Sequence, residues 1–197
     1  GQMDDILCAY DVQELYKYYG TDVSSWQKLY DRVEREIQPQ TVMNPKGMWG
    51  RFCKGVINAI AYLSRFDDIH AFYNYAEQHE TSIDTRLDLV YEIQASITGF
   101  GMPLACDFLK ESGLKNYSKP DVHLLSLFYG LRLSRKDFTD VFQTVDLMAQ
   151  ETNHTPYAVD KVFWLIGSGS LYIQGIKFKT NRKRFIQDTM GKWDNLS

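Results

Sequence analysis

The sequence predicts an all-α protein. Apolar residues recur at helical spacing over most of the 197 residues. The periodic segments are opened by Asp, Ser and Pro and closed by Gly, as helix ends are. A single short stretch near the C-terminus alternates in the manner of strands. At 44% hydrophobic and 24% charged, a chain of this length buries a real core and suits one unit, with two lobes around a cleft.

Taken in order, residues 7–18 and 24–37 read as helices, the second entered through Asp22-Val23-Ser24-Ser25. Pro39, Asn44, Pro45 and Gly47 mark a loop. Residues 51–63 form a strongly apolar helix, and 67–79 carry Ile69, Phe72, Tyr73 and Ala76 on one face. Ser82 opens a helix to about 97, and another covers 102–111 until Gly113 stops it. Pro120-Asp121 opens 122–131; 136–152 and 156–165 follow. Leu171-Tyr172-Ile173 and Ile176-Lys177-Phe178-Lys179 pattern as a small β-hairpin turning at Gln174-Gly175. Residues 181–197 read as a last helix or a tail.

The formal charge of −3 and pI near 5.8 argue against a protein that coats nucleic acid through bulk charge. They leave room for a site-specific enzyme with a local basic surface. Cys8, Cys53 and Cys106 show no metal-ligand spacing and read as packing thiols. No apolar run is long enough to span a membrane, and no signal-peptide pattern appears. A cytoplasmic or nucleoid-associated protein is expected, without membrane contact and as a monomer.

The stretch that speaks to chemistry is Ile97-Thr98-Gly99-Phe100-Gly101-Met102-Pro103-Leu104-Ala105, with Asp121 eighteen residues after Pro103. Two glycines around Phe100 permit positive φ and close approach of another backbone. A helix starts at once, so its first N–H groups face outward as an anion site. Pro103 suits the first turn, where its missing N–H costs little. The same residues would also make a plain tight corner between helices. Asp121 in turn supplies one carboxylate at the start of a helix, where it serves equally as an N-cap.

On these residues the chain resembles the helix-hairpin-helix superfamily of base-excision DNA glycosylases, which includes endonuclease III and the adenine-mismatch and alkylbase glycosylases. The family's hairpin, Leu-Pro-Gly-Val-Gly with an Ala four residues on, is matched by Ile97-Thr98-Gly99-Phe100-Gly101 with Ala105, and its helix-capping catalytic Asp by Asp121. The close match covers about thirty residues. Pro103 stands where bifunctional members carry a lysine nucleophile, so the resemblance implies a monofunctional enzyme without lyase chemistry. No four-cysteine run is present, which implies a form without the iron–sulfur cluster. It implies an all-α, two-lobed glycosylase-like fold, with a central lobe of about 46–124 holding the hairpin at 95–109. Residues 1–45 and 125–197 would form the second lobe.

The resemblance also implies roles. Asp121 would stabilise positive charge on the sugar of a flipped nucleotide and orient water. Gly99, Gly101 and Leu104 would donate N–H groups to a phosphate. The carbonyls of Ala95, Ile97 and Phe100 would hold Na+ or K+; no other cofactor is expected. Trp49, Tyr157, Trp164 and His123 are candidates for a base pocket or wedge, each equally readable as a packed side chain. Lys177, Lys179, Arg182, Lys183 and Arg184 form the one dense basic segment, a further phosphate-contact candidate or a solvated tail. The expected partner is double-stranded DNA with a damaged or mismatched base. Two alternatives stand beside this: a catalytically inactive phosphate clamp on DNA, and a helical protein-interaction module.

Overall fold

The computed structural model describes residues 2–38, 43–169 and 181–195. Among these residues it is all-α, with eleven α-helices and no strand. The expected β-hairpin at 171–179 lies outside the described residues. No described helix is long and apolar enough to cross a membrane. The chain divides by its contacts into two compact units, Gly1–Gly101 and Met102–Ser197. This division runs through the hairpin, whereas the lobes expected from the sequence are drawn at 46 and 124.

Unit 1 holds α1 (Gln2–Ile6), α2 (Val12–Tyr19), α3 (Ser25–Ile37), α4 (Met48–Leu63), α5 (Ile69–Gln78) and α6 (Ile83–Ser96). Helix starts follow local chemistry. Asp11 accepts the Glu14 N–H, Asp68 accepts that of Ala71, and Ser82 forms a reciprocal capping box with Thr85. Ile6, Leu15, Tyr19, Leu29, Val33 and Ile57 form its main core.

One expected helix is broken. The sequence reads 7–18 as continuous, yet Cys8, Ala9 and Tyr10 all take positive φ and a 3₁₀ turn separates α1 from α2. Left-handed backbone costs about 1–2 kcal/mol per non-glycine residue. The reversal is held by tertiary contacts: the Tyr19 hydroxyl donates to the Ile6 carbonyl at 2.7 Å, and Arg32 donates to the Tyr19 oxygen and the Asp5 carbonyl.

Unit 2 holds α7 (Met102–Glu111), α8 (Val122–Gly130), α9 (Phe138–Thr152), α10 (Pro156–Ser168) and α11 (Arg182–Asp194). Gly113, at φ +98°, closes α7: its N–H reaches the Lys110 carbonyl and that of Leu114 reaches Leu109. Leu124, Leu127, Phe128, Val141 and Val145 are fully buried and form the core between α8, α9 and α10.

Gly50 separates two opposing effects. It lies inside α4, where alanine would gain about 1 kcal/mol by helix propensity. A Cβ there, however, would sit 1.9 Å from the Pro45 carbonyl oxygen. Backbone must then move, an overpacking cost of about 1–3 kcal/mol. Gly50→Ala is therefore expected to lower stability in urea unfolding; a rise would show that the 45–47 turn yields freely.

Candidate functional site

The Ile97–Gly101 turn of the hairpin and Asp121 fall in different units, so each is built from its own surroundings. In unit 1, α6 ends at Ser96 and the chain turns through Ile97–Gly101. Gly99 has φ +89° and open space where a side chain would stand. The Phe100 N–H closes the turn on the Ile97 carbonyl at 3.0 Å. Two residues of α4 hold this loop. Asn58 Oδ1 accepts the Thr98 N–H at 3.2 Å, and Gly55 admits the Thr98 carbonyl, which a Cβ would meet at 2.8 Å.

The N–H groups of Gly99 and Gly101 have no hydrogen-bond partner among the described residues, and both residues are exposed. Asn58 thus occupies one donor of the turn and leaves these two bare, an arrangement that suits an anion. Leu104, 45% exposed, belongs to the first turn of α7, where N–H groups lack helical acceptors. On the other side of the turn, Ala95 lies in the last turn of α6, and Ile97 caps it. Carbonyls at this helix end carry partial negative charge, and the Ile97 oxygen keeps a lone pair beyond its bond to Phe100. Sequence reading missed Gly55 and Asn58, because nothing local marks a mid-helix Gly or Asn as the seat of a loop forty residues on.

In unit 2, Asp121 caps α8. Its Oδ1 accepts the N–H groups of His123 (2.8 Å) and Leu124 (3.1 Å), and its Oδ2 accepts the indole N–H of Trp164 at 3.2 Å. The His123 ring stands edge-on to Trp164, centroids 6.4 Å apart. Three residues singled out from the sequence, Asp121, His123 and Trp164, therefore converge at one half-buried corner. Tyr157 faces elsewhere, with the ammonium groups of Lys161 and Lys110 over its ring at 5.1 and 5.9 Å. Trp49, in unit 1, packs on that unit's core with its ring edge-on to Phe52. Arg182, Lys183 and Arg184 form the first turn of α11, while Lys177 and Lys179 lie outside the described residues.

Beneath Asp121 is a charge network that the sequence did not announce. Asp160, 1% exposed, accepts from Lys110 Nζ and from the Lys119 N–H, both at 3.0 Å. Lys119 Nζ reaches Asp107 at 2.9 Å, and the Asp121 N–H closes a turn onto the Lys119 carbonyl at 2.8 Å. Burial pushes the Asp160 carboxyl above its ordinary range, against the pull of Lys110. Burial pulls Lys110 down, but Asp160 and Asp107 outweigh it and hold its ammonium above the usual lysine value. Cys106 beside this network is buried, and burial raises its thiol; Cys53 is pushed up to about 12 by the same cause. Neither thiol is poised as a nucleophile. Among the described residues no group of His, Cys, Asp and Glu could hold a metal ion.

Lys110→Met leaves Asp160 buried without its counter-charge and is expected to cost about 3–5 kcal/mol at pH 7. A carboxyl whose folded pKa is raised favours the folded state below its unfolded value of 3.8 and loses that advantage as pH rises through the folded value. The deficit of the variant should therefore shrink on acidification, as denaturation at a series of pH values would read. A deficit that stays constant to below pH 3.8 would show that lost packing, not stranded charge, is the cause.

No protein-family model, no curated protein and no solved structure matches the chain.

Proposed function

We propose that this chain is a monofunctional DNA N-glycosylase. The observation that supports it best is the Asp121 carboxylate, half-buried at the start of α8 and aimed by three donors, two from the backbone and one from Trp164. Cleavage of an N-glycosidic bond leaves positive charge on the sugar; a fixed carboxylate beside C1′ stabilises that charge without reorganising at the moment of reaction. Water adds to C1′ as the base departs, and the proton that the water loses accompanies the base or passes to Asp121. Trp164 sets the carboxylate's orientation. His123, edge-on to Trp164, lines the same corner. The exposed N–H groups of Gly99 and Gly101 would take a phosphate of the duplex. A monovalent cation on the carbonyls of Ala95, Ile97 and Phe100 would add positive charge behind that phosphate. Pro103 in the first turn of α7 carries no amine, so the product is an abasic site with the strand intact.

Charge distribution supports a polyanionic partner. Unit 2 carries 13 Lys and Arg against 10 Asp and Glu, while unit 1 carries 9 against 15. A chain of net charge −3 thus keeps a basic half. One observation favours the second reading, a phosphate clamp without catalysis: both oxygens of Asp121 already accept hydrogen bonds, as an ordinary N-cap's would.

Binding to a duplex that carries a cationic abasic-sugar analogue separates the two. The wild type should prefer it over the undamaged duplex, and Asp121→Asn should weaken that preference by about tenfold or more, equivalent to about 1.4 kcal/mol of lost charge attraction. Trp164→Phe should cost less, since it frees the carboxylate without removing it. Equal binding to both duplexes selects the clamp. No binding to either at low salt rejects a DNA partner.

A further inference from the structure

A second feature of unit 2 is used neither by Asp121 nor by the hairpin. Where α8 ends, Tyr129, Gly130, Arg132, Leu133, Ser134 and Arg135 line a shallow open groove of about 680 Å³. Arg132 takes φ +56°, the left-handed position that closes a helix and that glycine ordinarily fills. Its N–H bonds to the Tyr129 carbonyl and that of Leu133 to Phe128, so the backbone cannot relax without undoing the end of α8. An arginine at this position strains the backbone. In return, an exposed arginine side chain springs from a fixed backbone position, without an ion pair among the described residues. Arg135, its neighbour in the groove, is neutralised by Asp140. Tyr129, 58% exposed, stands on the last turn of α8 beside it.

A third element brings more positive charge. α11 crosses α8 at Gly130, where a Cβ would meet Ile186 Cδ1 at 2.6 Å. Arg182 and Lys183 lie one turn before Ile186. Together with Arg184, which pairs with Asp188 at 3.5 Å, they place three cations in the first turn of α11, the positive end of the helix dipole, where Arg182 and Lys183 oppose helix formation. Two independent placements in the same region thus sacrifice local stability for cationic surface: Arg132 in left-handed backbone, and basic residues at a helix N-terminus.

We infer that this groove binds a single-stranded segment of nucleic acid, its phosphodiesters on Arg132 and the first turn of α11 and one unstacked base on the Tyr129 ring. An exposed aromatic beside an unpaired arginine is what sequence-tolerant strand binding uses. The inference goes beyond the glycosylase reading and does not need Asp121 to be catalytic.

The test is a titration of the full chain with a labelled single-stranded oligonucleotide, by fluorescence anisotropy across a salt series. Arg132→Gly should weaken binding and lower the slope of log affinity against log salt by about 0.7, one phosphate contact's share for a single strand. The same variant should melt about 3 °C higher, because glycine fits the left-handed position. Opposite signs for binding and stability are not expected of a merely structural arginine. Tyr129→Ser should weaken binding about tenfold with the salt slope unchanged. The inference fails if Arg132→Gly binds with the wild-type slope, or if polyglutamate at equal charge competes as well as the oligonucleotide, which would mark an acidic-peptide surface instead. The titration uses a strand without an abasic analogue and reads Arg132 and Tyr129, whereas the glycosylase reading is tested by duplex preference at Asp121, so failure of the groove and failure of that reading are seen separately.

Discussion

The Lys110 ammonium and the Asp160 carboxylate, fifty residues apart in sequence, meet at 3.0 Å where each side chain is at most 5% exposed. Taking two charges out of water costs several kcal/mol per ion, and their attraction recovers this only with good geometry and further hydrogen bonds. Those further bonds give the pair its structural consequence. Asp160 also accepts the Lys119 N–H, Lys119 reaches Asp107, and the Asp121 N–H closes onto Lys119. Asp121 therefore begins α8 from a turn pinned to α7 and α10. One helical turn beyond Asp160, on the same face of α10, Trp164 meets the Asp121 carboxylate. A pair of doubtful net stability thus fixes a register, and the register delivers a side chain to the candidate site.

Unit 1 reaches a comparable result with neutral groups. The Ile97–Gly101 turn rests on α4 through Asn58 and through the missing side chain of Gly55. A glycine inside a helix costs about 1 kcal/mol relative to alanine, and here it lets one backbone carbonyl sit against a helix surface. The outcome is a loop whose Thr98 donor is satisfied while those of Gly99 and Gly101 face outward. Phosphate binding of the kind proposed depends on that selection of donors more than on any basic side chain.

Charge acts at the scale of the half-chain. The whole-chain value of −3 argues against nucleic acid, but it averages an acidic unit with a basic one. Field and counterion effects fall off within about 8–10 Å at ordinary salt. A partner that meets unit 2 therefore meets local excess positive charge, and the arginines at 132 and 182 matter more to it than the total.

Most helices were legible in the sequence because their signals are local. Asp68, Ser82, Asp121, Asp137 and Thr155 each cap the helix that follows through a bond spanning three residues or fewer, and Gly113 closes α7 within one turn. The Gly99-Phe100-Gly101 turn and the capping Asp121 were visible for the same reason. The left-handed run at Cys8, Ala9 and Tyr10 was not, since its cause is the Tyr19 hydroxyl on Ile6, thirteen residues away. Nor did the sequence separate Trp164 from Trp49: each reads equally as a base contact or a packed side chain, and the fold sets one against Asp121 and the other into a core. By itself the chain determined where backbone hydrogen bonds close within a turn. Only the tertiary structure decided which charges are buried together and which donors remain open, because those depend on contacts between residues forty or fifty positions apart.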